Sequence, residues 1–217
     1  MLIRRIEPLS GMCRIRIRLR PLFEHGSVEP TRTLGSNHIR FVSATTALRL
    51  TTDAPISYLN NETVFPLARP INLILGPDES LADSIVRVAR EFQERTNDYW
   101  LEWVRYLSVP FEWQEAVIRA AITLKLCSFE ETGAVVAALT TSIPEAPNTA
   151  RNWDYRYCWL RDAYYVLSAL RLLGHFEERE RFTHFLLDVA GRTPSLDLAP
   201  LYRIDGTSDL DERILED

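Results

Sequence analysis

One stretch, from Asn152 to Asp162, carries aromatic and charged side chains more densely than any other part of the chain. Rings and hydrogen-bonding groups are interspersed there: Trp153, Asp154, Tyr155, Arg156, Tyr157, Trp159, Arg161 and Asp162. Flat aromatic faces beside carboxylates and guanidinium groups suit a ligand that has both apolar patches and many hydroxyl groups. A sugar ring is such a ligand, so the stretch predicts a sugar-contacting surface. The competing interpretation is an aromatic core segment whose charges pair with one another.

The segment from Arg151 to Ala163 resembles the signature of glycoside hydrolase family 15, which contains glucoamylases, glucodextranases and some trehalases. The likeness extends upstream through Ala120–Leu126 and Thr132–Glu145. It covers most of the chain, from about Ile3 to Leu210, and is weaker before Leu59. The resemblance implies inverting hydrolysis of α-glucosidic bonds from non-reducing ends, as in glucoamylases, in a full-length parent protein. The alternative within the same family is a trehalase.

The resemblance also implies roles for four residues of the signature. Arg161 and Asp162 match an adjacent arginine and aspartate that hydrogen-bond the hydroxyl groups of the non-reducing-end sugar in the family. Tyr155 and Trp159 match aromatic positions that line the same subsite. These four are the predicted substrate-binding residues. The alternative for Arg161 and Asp162 is a structural ion pair at a helix start.

Catalysis with inversion needs two carboxyl groups, one protonated and one ionised, roughly 6.5–9.5 Å apart. The resemblance implies that both glutamates lie beyond Asp217, so no catalytic residue is predicted in this chain, which alone is expected to be inactive. Asp205, Asp209 and Asp211 lie in a polar, acidic segment that offers no apolar pocket to raise a carboxyl pKa, and they are not predicted to act as substitutes. The alternatives are a non-catalytic sugar-binding or interaction module and a gene remnant that does not fold stably.

The predicted ligand is an α-glucoside: a maltooligosaccharide, an isomaltooligosaccharide or trehalose. Cys13, Cys127 and Cys158 are widely spaced and the four histidines lack ligand spacing, so neither a metal nor another cofactor is predicted.

No run reaches the roughly 18 apolar residues that span a bilayer, and the first residues do not form a signal-like apolar run. A membrane is therefore not a predicted partner, and a cytoplasmic location is expected. Homo-oligomer formation is left open.

Charge is divided unevenly along the chain. Residues 1–75 carry ten arginines against five acidic residues, whereas the remainder carries fifteen basic and twenty-five acidic residues, so that the net charge of −5 splits into +5 and −10. The basic residues are spread over several predicted strands and are not interleaved with aromatic residues. Nucleic acid is therefore not a predicted partner.

Other elements of the chain must position the signature, and the first of these along the sequence are β-strands. Residues 1–75 predict β structure, with strict alternation at Arg14–Arg20 and further strands at His38–Ser43, Ala47–Thr52 and Ile71–Leu75. The arginine face of the alternating run is predicted to be solvated. The resemblance implies that this part is the C-terminal remnant of an N-terminal antiparallel β-sandwich domain.

Helical periodicity follows. Residues 76–108 predict linker helices, one after a capping box at Ser80 and Asp83 and a second at 97–107. Residues 109–217 predict all-α structure, with helices at Phe111–Cys127, Ala163–Leu173 and Phe176–Val189. The resemblance implies an incomplete (α/α)6 barrel of the six-hairpin glycosidase type, of which this chain holds the first part.

Two places depart from the family pattern. Asn148 and Thr149 stand where most members have paired glycines, and Arg203 stands where glycine is usual. A non-glycine residue adopts a positive φ only at a cost, and asparagine tolerates it better than most. The departures predict altered local conformation before and after the signature.

Overall fold

The computed structural model describes residues 1–141, 143–193 and 197–212. The chain divides into two compact units, the first comprising Met1–Trp100 and the second starting at Leu101. The division falls inside a helix, α2 (Ile85–Arg105). No helix in the described ranges is both long enough and apolar enough to cross a membrane.

The first unit is built on a five-stranded antiparallel sheet with strand order β1-β7-β5-β4-β3. Its strands are β1 (Leu2–Ile6), β3 (Thr31–Leu34), β4 (His38–Val42), β5 (Ala47–Thr52) and β7 (Ile71–Pro77). A smaller sheet pairs β2 (Arg14–Ile15) with β6 (Phe65–Pro66), and a short helix, α1 (Ile56–Asn60), lies between β5 and β6 in the chain. The predictions for β4, β5 and β7 are confirmed, whereas β1, β3 and α1 were not predicted.

One face of the large sheet carries the core of this unit. Alternation along the strands puts Ile39 and Phe41 of β4, Leu50 of β5 and Leu73 of β7 into one cluster, and each is at most 8% exposed. Phe65 of β6 joins the same cluster. Burial of these side chains is the main stabilising term of the unit.

The alternating run at residues 14–20 has the predicted burial but not the predicted strand length. Ile15, Ile17 and Leu19 pack against the core, yet ladder pairing is confined to Arg14 and Ile15.

The arginine face of this run is solvent-exposed, as predicted. Arg18 and Arg20 lie 3.2 and 2.6 Å from the Glu62 carboxylate, and their side chains are 59% and 64% exposed. The hydrogen bond from Arg20 is the largest effect that holds the pKa of Glu62 below its ordinary value.

Helix α2 is continuous where the sequence analysis predicted two helices. Residues 85–105 contain neither glycine nor proline, so nothing in the sequence breaks the hydrogen-bond ladder. The helix also begins later than the predicted capping box. The Arg87 N–H donates to Ser84 Oγ at 3.3 Å, while the Asp83 carboxylate accepts the N–H of Ser84 at 2.6 Å.

The second unit contains α3 (Gln114–Leu126), α4 (Leu160–Leu172) and α5 (Glu177–Arg192), which correspond to the three predicted helices. A two-stranded antiparallel sheet pairs β8 (Cys158–Trp159) with β9 (Leu201–Tyr202). A second core joins these elements: Ala134, Val135, Cys158, Ala163, Leu167, Phe182, Phe185, Val189 and Tyr202.

The turn between α4 and α5 ends α4 as predicted. Gly174 has φ 89°, its N–H donates to Arg171 O, and the His175 N–H donates to Leu170 O, both at 3.0 Å. This is the Schellman arrangement that satisfies the last carbonyl groups of a helix. It returns the chain directly into α5, so that the two helices pack against each other.

Candidate functional site

The backbone of the signature is fixed by two neighbouring segments. Ala138 N–H donates to Tyr155 O and Ala137 N–H to Tyr157 O, each at 3.0 Å, and Tyr155 N–H donates to Thr140 O at 2.9 Å. The second neighbour is β9, which pairs with β8. The signature therefore lies in a hydrogen-bonded frame that leads directly into α4.

Arg161 and Asp162 lie in the first turn of α4. Trp159 precedes the helix with an extended backbone (φ −85°, ψ 120°). The N–H of Leu160 has no partner inside the helix, and it donates to Pro200 O at 3.2 Å. Since Ala163 is buried one residue further on, both the start of the helix and its rotation about its axis are fixed.

The four predicted site residues all keep solvent access in this unit. The side chains of Arg161 and Asp162 are 77% and 39% exposed, Tyr155 is 36% exposed and Trp159 is half-buried. Arg161 Nη2 lies 3.4 Å from Asp162 Oδ2. A carboxylate in the first turn is also favoured by the helix dipole. The arrangement is thus compatible with the structural ion pair and with two groups open to a ligand.

Asp154 and Arg156 bind each other, in keeping with the interpretation in which the charges of the segment pair among themselves. The Arg156 guanidinium reaches both carboxylate oxygens of Asp154 at 3.0 and 2.9 Å, and the Arg156 N–H also donates to Oδ1. The side-chain hydrogen bond raises the pKa of Arg156 above its ordinary value. The two side chains are thus already paired with each other within the loop.

Trp153 is partly covered by a neighbour that the sequence analysis did not assign. The Arg151 guanidinium lies 4.5 Å from the centroid of the Trp153 ring and pairs with Glu212 at 3.2 Å. The sequence signal that could have indicated this contact is the position of Arg151 two residues before Trp153. With one ring face occupied, Trp153 is less suited to stack on a sugar than Tyr155 or Trp159.

The family departure at residue 148 falls where the backbone needs a positive φ. Asn148 has φ 61°, and the Thr149 N–H donates to Ala146 O at 3.2 Å. Proline at the second position and a left-handed residue at the third are the requirements of a type II β-turn. Asparagine fills the third position at a smaller cost than other non-glycine residues. At Arg203 the backbone is not left-handed, because the positive φ of that turn falls on Gly206 (83°).

Asp205 and Asp209 are exposed and lie beside polar or basic partners. Asp205 Oδ1 accepts the N–H and the hydroxyl of Thr207 at 2.9 and 2.8 Å, and these bonds lower the pKa of Asp205. Asp209 lies 3.7 Å from Arg203 Nε and its side chain is 85% exposed. A general acid needs a raised pKa, and the hydrogen bonds of Asp205 act in the opposite direction.

A buried polar cluster was missed by the sequence analysis. Lys125 of α3 is 6% exposed and Glu178 of α5 is 2% exposed. Lys125 Nζ lies 3.1 Å from Glu178 Oε1 and 2.6 Å from Glu130 Oε1. Trp103 Nε1 donates to Glu178 Oε1 at 3.4 Å, and the His175 ring stacks on Trp103 with centroids 4.3 Å apart. The sequence signal for this cluster was the spacing of Lys125, which lies four residues after Ala121 and therefore on the same face of α3.

A crevice of about 290 Å³ lies along α5. Its lining includes Arg181, His184, Asp188 and the turns at 130–133 and 205–206, but none of the four predicted site residues. Among the described residues no group of three metal-binding side chains converges. The geometry therefore places the candidate ligand contacts on the open surface at the start of α4.

Residues 113–215 match the sequence profile of glycosyl hydrolases family 15. A trehalase of Thermoplasma volcanium is 30% identical over 97% of this chain and 34% of its own length. The chain belongs to glycoside hydrolase family 15. The match contains α3, the signature, α4, α5 and β9, so the candidate site lies wholly in the part of the chain that defines the family.

Two further relatives are also named trehalases. A trehalase of Mycolicibacterium smegmatis is 30% identical over 88% of this chain and 30% of its own length. A trehalase of Mycobacterium tuberculosis is 42% identical over 45% of this chain and 14% of its own length. The chain thus spans at most about a third of the length of these curated relatives. No solved structure matches the chain significantly.

Proposed function

We propose that the chain contributes the sugar-holding part of an inverting family 15 hydrolase whose substrate is trehalose. The observation that carries the proposal is the exposed pair Arg161 and Asp162 at an anchored helix start directly after Trp159. The relatives are named trehalases, which favours trehalose over the maltooligosaccharides of a glucoamylase.

The four residues supply complementary contacts for one glucose unit. The Asp162 carboxylate accepts hydrogen bonds from neighbouring hydroxyl groups, and the Arg161 guanidinium donates to the adjacent oxygens. Tyr155 and Trp159 offer ring faces to the C–H groups of the sugar. Loss of one charged partner costs on the order of 1–3 kcal/mol of binding.

The same proposal makes the chain a binder without turnover. Within residues 152–163 the carboxylates are Asp154 and Asp162, and each has an arginine beside it. Inverting hydrolysis requires a second, protonated carboxyl group roughly 6.5–9.5 Å from the first. We assign that chemistry to family glutamates C-terminal to this chain, with residues 1–75 as part of a β-sandwich domain and residues 109–217 as the first part of an (α/α)6 barrel.

Calorimetric titration of the chain with trehalose and with maltose tests the proposal. Trehalose should bind, and Asp162→Asn should weaken its binding about tenfold because the amide replaces an acceptor oxygen by a donor. Asp209→Asn, an exposed carboxylate outside the signature, serves as the matched control and should bind like the wild type.

Three outcomes would contradict parts of the proposal. Unchanged binding in Asp162→Asn would remove the subsite assignment. Tighter binding of maltose than of trehalose would favour a glucoamylase-type substrate. Glucose release from trehalose by this chain would show that the catalytic carboxylates lie within it.

A further inference from the structure

The β8–β9 ladder places four side chains on its two opposite faces, two on each. Cys158 pairs with Tyr202, and Trp159 pairs with Leu201. Cys158 and Tyr202 are 0% and 2% exposed and belong to the second core. Successive side chains of a strand point to opposite faces, so Trp159 and Leu201 share the other face, where both are half-buried.

Hydrogen bonds made by the residues before and after Leu201 fix its position. The Tyr202 hydroxyl accepts the N–H of Ala199 at 2.7 Å, and Pro200 O accepts the N–H of Leu160 at 3.2 Å. The Tyr202 ring also packs edge-on against Phe185, with centroids 6.5 Å apart. The segment 199–202 is therefore tied to the helix start that carries Arg161 and Asp162.

Directly opposed residues in an antiparallel ladder have Cβ atoms roughly 4.5–5.5 Å apart. The Leu201 side chain consequently extends the apolar surface that begins at the Trp159 ring. We infer that Leu201 is a further contact of the sugar site and that, with Trp159, it forms an apolar wall that selects glucose against pyranoses with an axial hydroxyl group. The inference rests on the proposed function.

The selectivity follows from hydrogen bonding. Glucopyranose carries its hydroxyl groups at C2, C3 and C4 equatorially, so around these carbons both ring faces present C–H groups to an apolar wall. Galactose and mannose carry one axial hydroxyl on one ring face, and allose carries one on the opposite face. Leucine offers neither a donor nor an acceptor, so an axial hydroxyl pressed against it loses water without gaining a partner.

NMR titrations of the chain with glucose, galactose, mannose and allose provide the test. In the wild-type chain, glucose should bind more tightly than the epimers whose axial hydroxyl meets the wall. Leu201→Ser supplies a hydroxyl there and should reduce that preference about fivefold. Leu201→Met should keep it, because the side chain stays apolar and of similar volume. Leu187→Ser, at an exposed leucine of α5, is the control.

The outcomes separate this inference from the proposed function. If Asp162→Asn abolishes glucose binding while Leu201→Ser leaves the preference among the four sugars unchanged, Leu201 is not part of the wall and the subsite stands. If Asp162→Asn has no effect, or the wild-type chain binds none of the sugars, the subsite itself is wrong and the inference falls with it. Circular dichroism of each variant establishes that it folds.

Discussion

Lys125 and Glu178 are the charged side chains most withdrawn from solvent among the described residues. Burial by itself raises the pKa of Glu178, but hydrogen bonds from the backbone, Lys125 and Trp103 outweigh it and lower that pKa. Glu178 Oε2 has no hydrogen-bond partner among the described residues, and His175 Nδ1 lies 3.9 Å from it. The cluster therefore depends on an ionised Glu178 close to an ionised lysine.

Glu178→Gln should destabilise the chain by about 1–3 kcal/mol at pH 7, because it removes the buried counter-ion of Lys125 and leaves that lysine paired with the more exposed Glu130. Urea unfolding followed by tryptophan fluorescence measures the loss. Glu177→Gln, which removes an exposed partner of Arg181 on the same helix, should change stability little. Equal unfolding midpoints for Glu178→Gln and the wild type would contradict the assigned role.

The pH dependence of stability has a definite sign. The pKa of Glu178 is lower in the folded chain than its ordinary value of 4.5, so the unfolded chain binds the proton more readily. The stabilisation is complete above the ordinary value and is lost as the pH falls through the folded value. Wild-type stability should therefore decline more steeply below that point than the stability of Glu178→Gln, and parallel declines would refute this.

At the site, the sequence identified residue types but not their surroundings. Motif matching located Arg161 and Asp162, and periodicity predicted a helix from Ala163, directly after them, whereas α4 begins at Leu160. Periodicity could not show that Leu201, distant in sequence, is paired with Trp159, because β8 and β9 are each only two residues long. Nor could it show that Arg151 covers Trp153.

At the scale of elements, α5 packs closely against the turn that contains Gly133. Gly133 has φ 82°, and a Cβ built there would lie 2.3 Å from the Arg181 carbonyl oxygen. The Gly133 N–H donates to Phe129 O and the Phe129 N–H to Ala134 O, both at 2.8 Å, so the turn cannot shift without losing hydrogen bonds. Glycine is required here by the left-handed backbone and by the close approach to α5.

Gly133→Ala should consequently destabilise the chain by at least about 2 kcal/mol, since the left-handed conformation alone costs roughly 1–2 kcal/mol and the overlap adds to it. Gly191→Ala is the matched control, because Gly191 lies within α5 with nothing within 4 Å of its Cβ position. That change should stabilise by about 0.5 kcal/mol through helix propensity. Thermal unfolding of both variants gives the comparison, and a neutral Gly133→Ala would overturn the close-approach argument.

Elements with strong periodicity were predicted and the others were not. α3, α4 and α5 present regular apolar stripes, and β4 and β5 alternate. β1 interrupts its alternation with two adjacent arginines, and β3 is an edge strand exposed along its whole length, so neither has a two-residue apolar pattern. Pairing with β7 and β4 respectively, rather than local sequence, defines them.

At the scale of the whole molecule, the uneven charge is neutralised in part by local pairs. In the first unit Arg20 binds Glu62 and Arg40 binds Asp78, so the arginine count overstates the charge available to a partner. In the second unit the acidic excess includes Glu130 and Glu178, which share Lys125. Counting charges in the sequence could not reveal this, because the partners are separated by up to tens of residues.

Because Cys158 is buried in the β8–β9 ladder, the reactivity of its thiol reports on the opening of that ladder beside the proposed sugar site. Burial raises the pKa of the Cys158 thiol to about 11, and the side chain has no exposed surface, whereas Cys13 is exposed. A thiol reagent at pH 8 should modify Cys13 quickly and Cys158 only when β8 separates from β9. The slow rate therefore measures the opening free energy of the ladder beside Trp159, and saturating trehalose should slow it further. Equally fast modification of both thiols would mean that β8 opens freely.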